Sequence, residues 1–116
     1  MQESENILKD FEEWFVTVGK SSLKSPSAFD IEHILRPNGN HYYCLKIDFE
    51  SNNSIARLTL WGEKSVYLEA IDLKNDKNFI NENYFFSDLK ELINKVLQFI
   101  KQLNDKDKMR KQSSLK

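Results

Sequence analysis

Near the N-terminus, apolar residues fall at Ile7, Leu8, Phe11, Trp14, Phe15 and Val18. The spacing i, i+1, i+4, i+7, i+8, i+11 describes one face of a helix, with Lys9, Asp10, Glu12 and Glu13 turned away. Ser4 is placed to cap this helix, because its hydroxyl can accept an orphan backbone N–H. Gly19 is placed to end it by entering the left-handed conformation without steric cost. "SSLKSPS" then reads as a loop. A second helical stripe runs through Leu89, Leu92, Ile93, Val96, Phe99, Ile100 and Leu103, with Ser87 at its cap position. Both stripes read as core faces.

Between the helices the period drops to two. In "YYCLKIDFE", Tyr43, Leu45, Ile47 and Phe49 share one side, and Tyr42, Cys44, Lys46, Asp48 and Glu50 the other. Ala56, Leu58 and Leu60 share a side in the next run, as do Val66, Leu68 and Ala70 in the one after. "AFDIEHIL" fits either a strand or one helical turn; the Asn-Gly of "RPNGN" after it is a hairpin signal and favours the strand. The expected fold is α+β: an N-terminal helix, a four-stranded antiparallel meander and a C-terminal helix, both helices on one sheet face. Residues 1–104 form the single domain, and 105–116 a basic tail. "IDLKNDKNFINENYFF", Ile71 to Phe86, belongs to neither sheet nor helix on this reading and crosses over as a long loop.

Register follows from keeping apolar residues on one side. Around "GEK", Thr59 falls opposite Tyr67 and Arg57 opposite Glu69. Around "SNNS", a two-residue loop would set Lys46 against Arg57. A four-residue loop sets Asp48 there, and opposite charges across strands attract by about 0.2–1 kcal/mol, so the longer loop is predicted. Ile31 opposite Ile47 completes the first hairpin and sets Glu32 opposite Lys46. The outer face then carries the rows Asp30, Asp48, Arg57, Glu69; Glu32, Lys46, Thr59, Tyr67; and Ile34, Cys44, Trp61, Ser65, with Tyr42 exposed nearby. No helix remains to cover it.

Charge sharpens this picture. The chain has 116 residues and a formal net charge of −1. From Lys101 to Lys116 six Lys/Arg stand against two Asp, a surplus of +4 that leaves −5 on residues 1–100. An acidic body favours basic partners and argues against nucleic acid. A single cysteine, Cys44, allows no internal disulfide and fits a reducing compartment. "MQESENILKD" lacks the basic and apolar regions of a secretory signal, and the longest apolar run, "YYCL", has four residues. Cytoplasm is the expected location, with no membrane partner.

The chemistry of catalysis is thin. Gly19, Gly39 and Gly62 are too scattered for a phosphate loop, and one Cys with His33 and His41 makes no zinc spacing. His33 points inward and Cys44 outward, and His41 and Cys44 face opposite sides, so neither pair meets as nucleophile and base. Asp48 and Glu69 would both be held ionised by Arg57 between them. No enzyme activity, cofactor or metal is expected. Aromatics on a sheet suit single-stranded nucleic acid only when Lys and Arg surround them, and here carboxylates outnumber cations. A protein-binding surface remains, built from Trp61, Tyr67, Glu69, Arg57 and Asp48, since Trp, Tyr and Arg are enriched at interface hot spots. Asp76 and Glu82, in the long loop beside Phe79 and Tyr84, are outlying candidates. Phe85 and Phe86 read as closing the edge of the core.

"FEEWFVTVGKSS", "RPNGNHYYCLKIDFE", "LTLWGE" and the last amphipathic helix together resemble the immunity proteins of bacterial contact-dependent growth inhibition, nearest the TriTu-like family. The resemblance runs from Phe11 to Leu103. It implies a protein that binds and neutralises the C-terminal toxin domain of a delivered effector. It further implies that the toxin is a transfer-RNA nuclease working with elongation factor Tu, which leaves open a ternary complex with that factor. The alternative of a different class is a small acidic cytoplasmic secretion chaperone, which would cover the same face by forming a homodimer.

Overall fold

The computed structural model describes the backbone of residues 2–22, 28–35, 42–51 and 53–114, and within them the side chains of 7–22, 29–35, 43–51 and 53–106. The Asn-Gly turn, His41 and the Tyr42 side chain lie outside the described residues. Helix α1 (Gln2–Thr17) leads through a 3-10 turn (Gly19–Ser22) into strands β1 (Ala28–Leu35), β2 (Tyr42–Glu50), β3 (Ser54–Trp61), β4 (Ser65–Asp72) and β5 (Lys77–Phe85), and helix α2 (Leu89–Ser114) follows. The strands form one antiparallel sheet in sequence order. The helix α2 continues through 105–114, residues set apart by composition as a tail.

The register matches the charge argument. Arg57 lies between Asp48 and Glu69, Thr59 pairs with Tyr67, Ile31 with Ile47 and Glu32 with Lys46. Glu50 pairs with Ile55, so the β2–β3 loop has the longer form, closed by the Ser51 N–H donating to the Ser54 carbonyl at 3.0 Å.

The strand count differs from expectation: the sheet has five strands and not four, because part of the supposed crossover, Lys77–Phe85, pairs with β4. Asn78, Asn81 and Asn83 have low strand propensity, and a bulge between Ala70 and Ile71 breaks the alternation where β5 begins to pair. The turn before it is well specified. The Asp72 carboxylate accepts the Lys74 N–H at 2.8 Å, the Asp76 N–H donates to the Asp72 carbonyl at 2.8 Å, and Asp76 takes the left-handed φ of 59° that Asp tolerates. Polar residues suit β5 because it is an edge strand.

Both helices pack on the Leu58/Leu68 side, α1 over β2 and β3 and α2 over β4. Leu8, Phe11 and Phe15 meet Leu45, Ile47, Leu58 and Leu60 there, with Leu92, Val96, Phe99 and Ile100 completing the core. Phe15 makes edge-to-face contacts with Phe29 and Phe49, at 5.4 and 5.8 Å between centroids, and Phe49 with Phe99 at 6.0 Å. His33 sits at the core's edge and bonds Glu12 of α1 through Nε2 at 2.8 Å.

The helix ends differ in detail from the sequence reading. Ser4 lies inside α1, which begins at Gln2. Val18 is exposed beyond its end. The cap of α2 is Asp88 rather than Ser87: its carboxylate accepts the Glu91 N–H at 2.9 Å, while the Glu91 carboxylate accepts the Ser87 N–H at 2.8 Å, a reciprocal pairing of the capping-box type. Gly19 does not adopt positive φ. Glycine is required there by space, since a Cβ would stand 2.7 Å from the Trp14 ring and 3.1 Å from that of Phe15.

Two outcomes test this packing. Gly19→Ala should destabilise the protein by about 1–3 kcal/mol in urea unfolding, because the Trp14 ring must shift; intrinsic helix propensity alone would give the opposite sign. Lys106, whose Nζ lies 2.9 Å from the buried Asp72 carboxylate and 5.1 Å from the Phe79 ring, ties α2 to the β4–β5 turn. Lys106→Met should cost about 2 kcal/mol, since it withdraws a cation from a buried carboxylate. Lys101→Met, which breaks an exposed pair with Asp105, should change stability by less than about 0.5 kcal/mol.

Candidate functional site

Because a strand's side chains alternate, the face opposite the helices presents the alternate residues of every strand. Four rows cross it. They are Asn81, Glu69, Arg57, Asp48, Asp30; Asn83, Tyr67, Thr59, Lys46, Glu32; Phe85, Ser65, Trp61, Cys44, Ile34; and Ile71, Ile55, Glu50. Of the seven predicted site residues, Asp48, Arg57 and Glu69 stand side by side in one row, Tyr67 in the next and Trp61 in the one after.

Arg57 is held by a forked interaction, Nε donating to Asp48 Oδ1 at 2.6 Å and Nη2 to Oδ2 at 3.3 Å. Its pKa is pushed above the usual arginine value, first by the hydrogen bond to Asp48 and then by that carboxylate's charge, with smaller contributions from Glu69 and Glu32. Both partners are about half exposed, so the pair contributes at most about 1 kcal/mol to stability. Its effect is to fix the guanidinium in place. Around it the face opens into a concavity of about 460 Å³, lined by Asp30, Asp48, Glu50, Ile55, Arg57, Glu69 and Ile71, among others. Four carboxylates against one guanidinium give this concavity a formal charge of −3.

Tyr67 is half-buried and donates its hydroxyl hydrogen to Asn81 Oδ1 at 2.5 Å, which fixes the ring toward β5. Trp61 is half-buried two rows from Arg57, roughly 13 Å along β3 at strand rise. Cys44, expected on the outer side, does belong to an outer row but is only 2 % exposed. Burial pushes its thiol pKa up, and the charge of Lys46 opposes this only partly. A thiol in that setting is a small core residue, not a nucleophile.

Asp76 is exposed in the β4–β5 turn, at the end of the sheet that carries Ile55 and Ile71. Glu82 is not on the outer face. It pairs across from Leu68 on the helix-bearing side and accepts the Tyr84 hydroxyl hydrogen at 2.6 Å. Phe85 also departs from expectation: it is 75 % exposed at the end of the Trp61 row, whereas Phe86 is buried in the core. Ile55 and Ile71, directly paired and exposed, are further additions to the face. Alternation already places Ile55 on the side of Arg57. Its aliphatic chemistry hides that signal, because isoleucine reads as core. Among the described residues no group of three His, Cys, Asp or Glu could hold a metal ion, and no helix is long and apolar enough to cross a membrane.

What this arrangement can do chemically is bind. It offers a fixed row of charges and a partly apolar floor. Residues 9–102 match the model of one protein family, described as Immunity protein TriTu. No curated protein matches the chain. The matched span enters through α1, takes in all five strands and reaches well into α2, and on that ground the chain belongs to the TriTu family of immunity proteins.

Proposed function

We propose that this immunity protein acts in the cytoplasm, where it neutralises the C-terminal nuclease domain of a contact-dependent growth inhibition effector by laying its open sheet face over the toxin. A nuclease holds its substrate through phosphate, so its working surface is basic. The observation that carries the reading is the uncovered concave face with a formal charge of −3, set in a sheet whose other face is sealed by both helices. Carboxylates on such a face steer a basic partner during encounter. Trp61 and Tyr67 supply area to be dried on contact, and the Asp48–Arg57–Glu69 row fixes register. Asp76 borders the same end of the sheet. Glu82 is reached only by a partner that wraps the β5 edge. The resemblance to TriTu-like proteins extends the proposal to a transfer-RNA nuclease and to a complex that includes elongation factor Tu.

The test uses the cognate toxin, first in cells and then as a catalytically inactive domain for binding. Trp61→Ala should weaken binding by at least ~2 kcal/mol if this ring is a central anchor. Glu69→Lys should chiefly slow association and reduce its salt dependence. The double variant, shown to be folded by circular dichroism and unfolding, should fail to protect cells. Full protection by that variant would remove the outer face from the interface. Light scattering of the free protein reads the chaperone alternative, for which a tight homodimer would be the mark.

A further inference from the structure

We infer that the concavity of the open sheet face is the seat for an arginine side chain of the protein partner, received between Asp30 and Glu50 with its aliphatic stem over Ile55 and Ile71. This rests on the outer face being the toxin-binding surface and names the chemistry that the surface takes. Within the face, the charges divide unequally. Arg57 is committed to the Asp48 fork and lies beside Glu69. Asp30, on the edge strand β1, stands directly opposite Asp48, and Glu50 lies one step along β2 on the same side. Among the described residues neither Asp30 nor Glu50 has an ion-pair partner, and like charges directly opposed across strands are destabilising. The free protein therefore carries two directly facing carboxylates, Asp30 and Asp48, with Glu50 beside them; Arg57 is forked to Asp48, and Lys46, one step along β2 on the same side, stands opposite Glu32.

Beside this charge lies apolar surface. Ile55 and Ile71 form a direct cross-strand pair, 44 % and 38 % exposed, and Ile55 is the neighbour of Glu50. A ligand that is apolar along its stem and cationic at its tip matches both halves of the concavity at once. Arginine fits better than lysine, because its planar fork presents five donors to more than one carboxylate and loses less hydration. The concavity has the volume of a small-ligand site but is open, which suits a side chain borne on a protein surface.

The experiment titrates the full chain with N-acetyl-arginine methylamide, and separately with its lysine and citrulline counterparts, following backbone amide shifts. Saturable shifts are expected at Asp30, Glu50, Ile55 and Ile71 with arginine. They should be at least threefold weaker with lysine and absent with the neutral citrulline. Asp30→Asn/Glu50→Gln should weaken arginine at least tenfold. The same variant should hold or raise the urea midpoint, because it relieves the facing charges; a lowered midpoint would make these carboxylates structural and overturn the seat. It should also bind the inactive cognate toxin domain at least tenfold more weakly. Arginine shifts that are absent or map elsewhere overturn the seat. If toxin binding survives in this variant but is lost in Trp61→Ala/Glu69→Lys, the seat falls while the outer-face reading stands. If toxin binding survives in both, the two fall together.

Discussion

Phe29, Phe15, Phe49 and Phe99 meet edge to face in a line that passes from β1 through α1 and β2 to α2. In each contact the positive edge of one ring meets the negative face of the other, and each contact is worth about 0.5–1.5 kcal/mol beyond the area it buries. The line holds both helices against the same side of the sheet. That choice settles the rest of the molecule. With α1 and α2 committed to one face, no helix among the described residues is left for the other, and the side chains of five strands there must be tolerated by solvent or covered by a partner. The polar rows of that face are the consequence, and the exposed Ile55, Ile71 and Phe85 are what solvent alone does not explain.

The outer face is organised by charge pairing across strands. Arg57 sits in the one position where two neighbouring strands both offer carboxylates, and its fork with Asp48 orients it along the sheet. Each such pair is weak in water, so the rows add little to stability. They penalise a slip in register more than they strengthen the correct one, because a one-residue shift would bring like charges together and turn apolar residues outward. The same fixed charges are available to a partner without reorganisation. Family membership and surface chemistry thus point the same way, toward a protein whose work is done by contact.

The β5 strand shows how a local pattern fails. Its inward residues Ile80, Glu82 and Tyr84 mix core with edge, and its outward ones are Asn81, Asn83 and Phe85. It meets α2 through single side chains, with the Lys95 Nζ over the Tyr84 ring at 4.2 Å and the Lys106 Nζ over the Phe79 ring at 5.1 Å. An edge strand buries too little to need clean alternation. Its pairing is set by the turn at Asp72–Asp76 and by the β4 edge to which it hydrogen-bonds. A structureless stretch as long as Ile71–Phe86 is itself uncommon in a small domain, and that length was the available sign of a missed strand.

By itself the sequence determined the two helix stripes, four strands, their faces and their pairing, because each of those is a matter of period and of charge complementarity between near neighbours. The Asp48–Arg57–Glu69 row was legible for that reason. Tertiary structure alone decided what depends on distance through space. It buried Cys44 within an outer row and brought Lys106 onto Asp72. It made Gly19 necessary for the sake of the Trp14 ring, turned Glu82 to the helix side and left Phe85 bare. It also curved the face so that Asp30, Glu50, Ile55 and Ile71, from four different strands, line one concavity. Periodicity tells each residue which side of its own strand it occupies. Curvature and coverage are properties of the assembled sheet, and no single strand carries them.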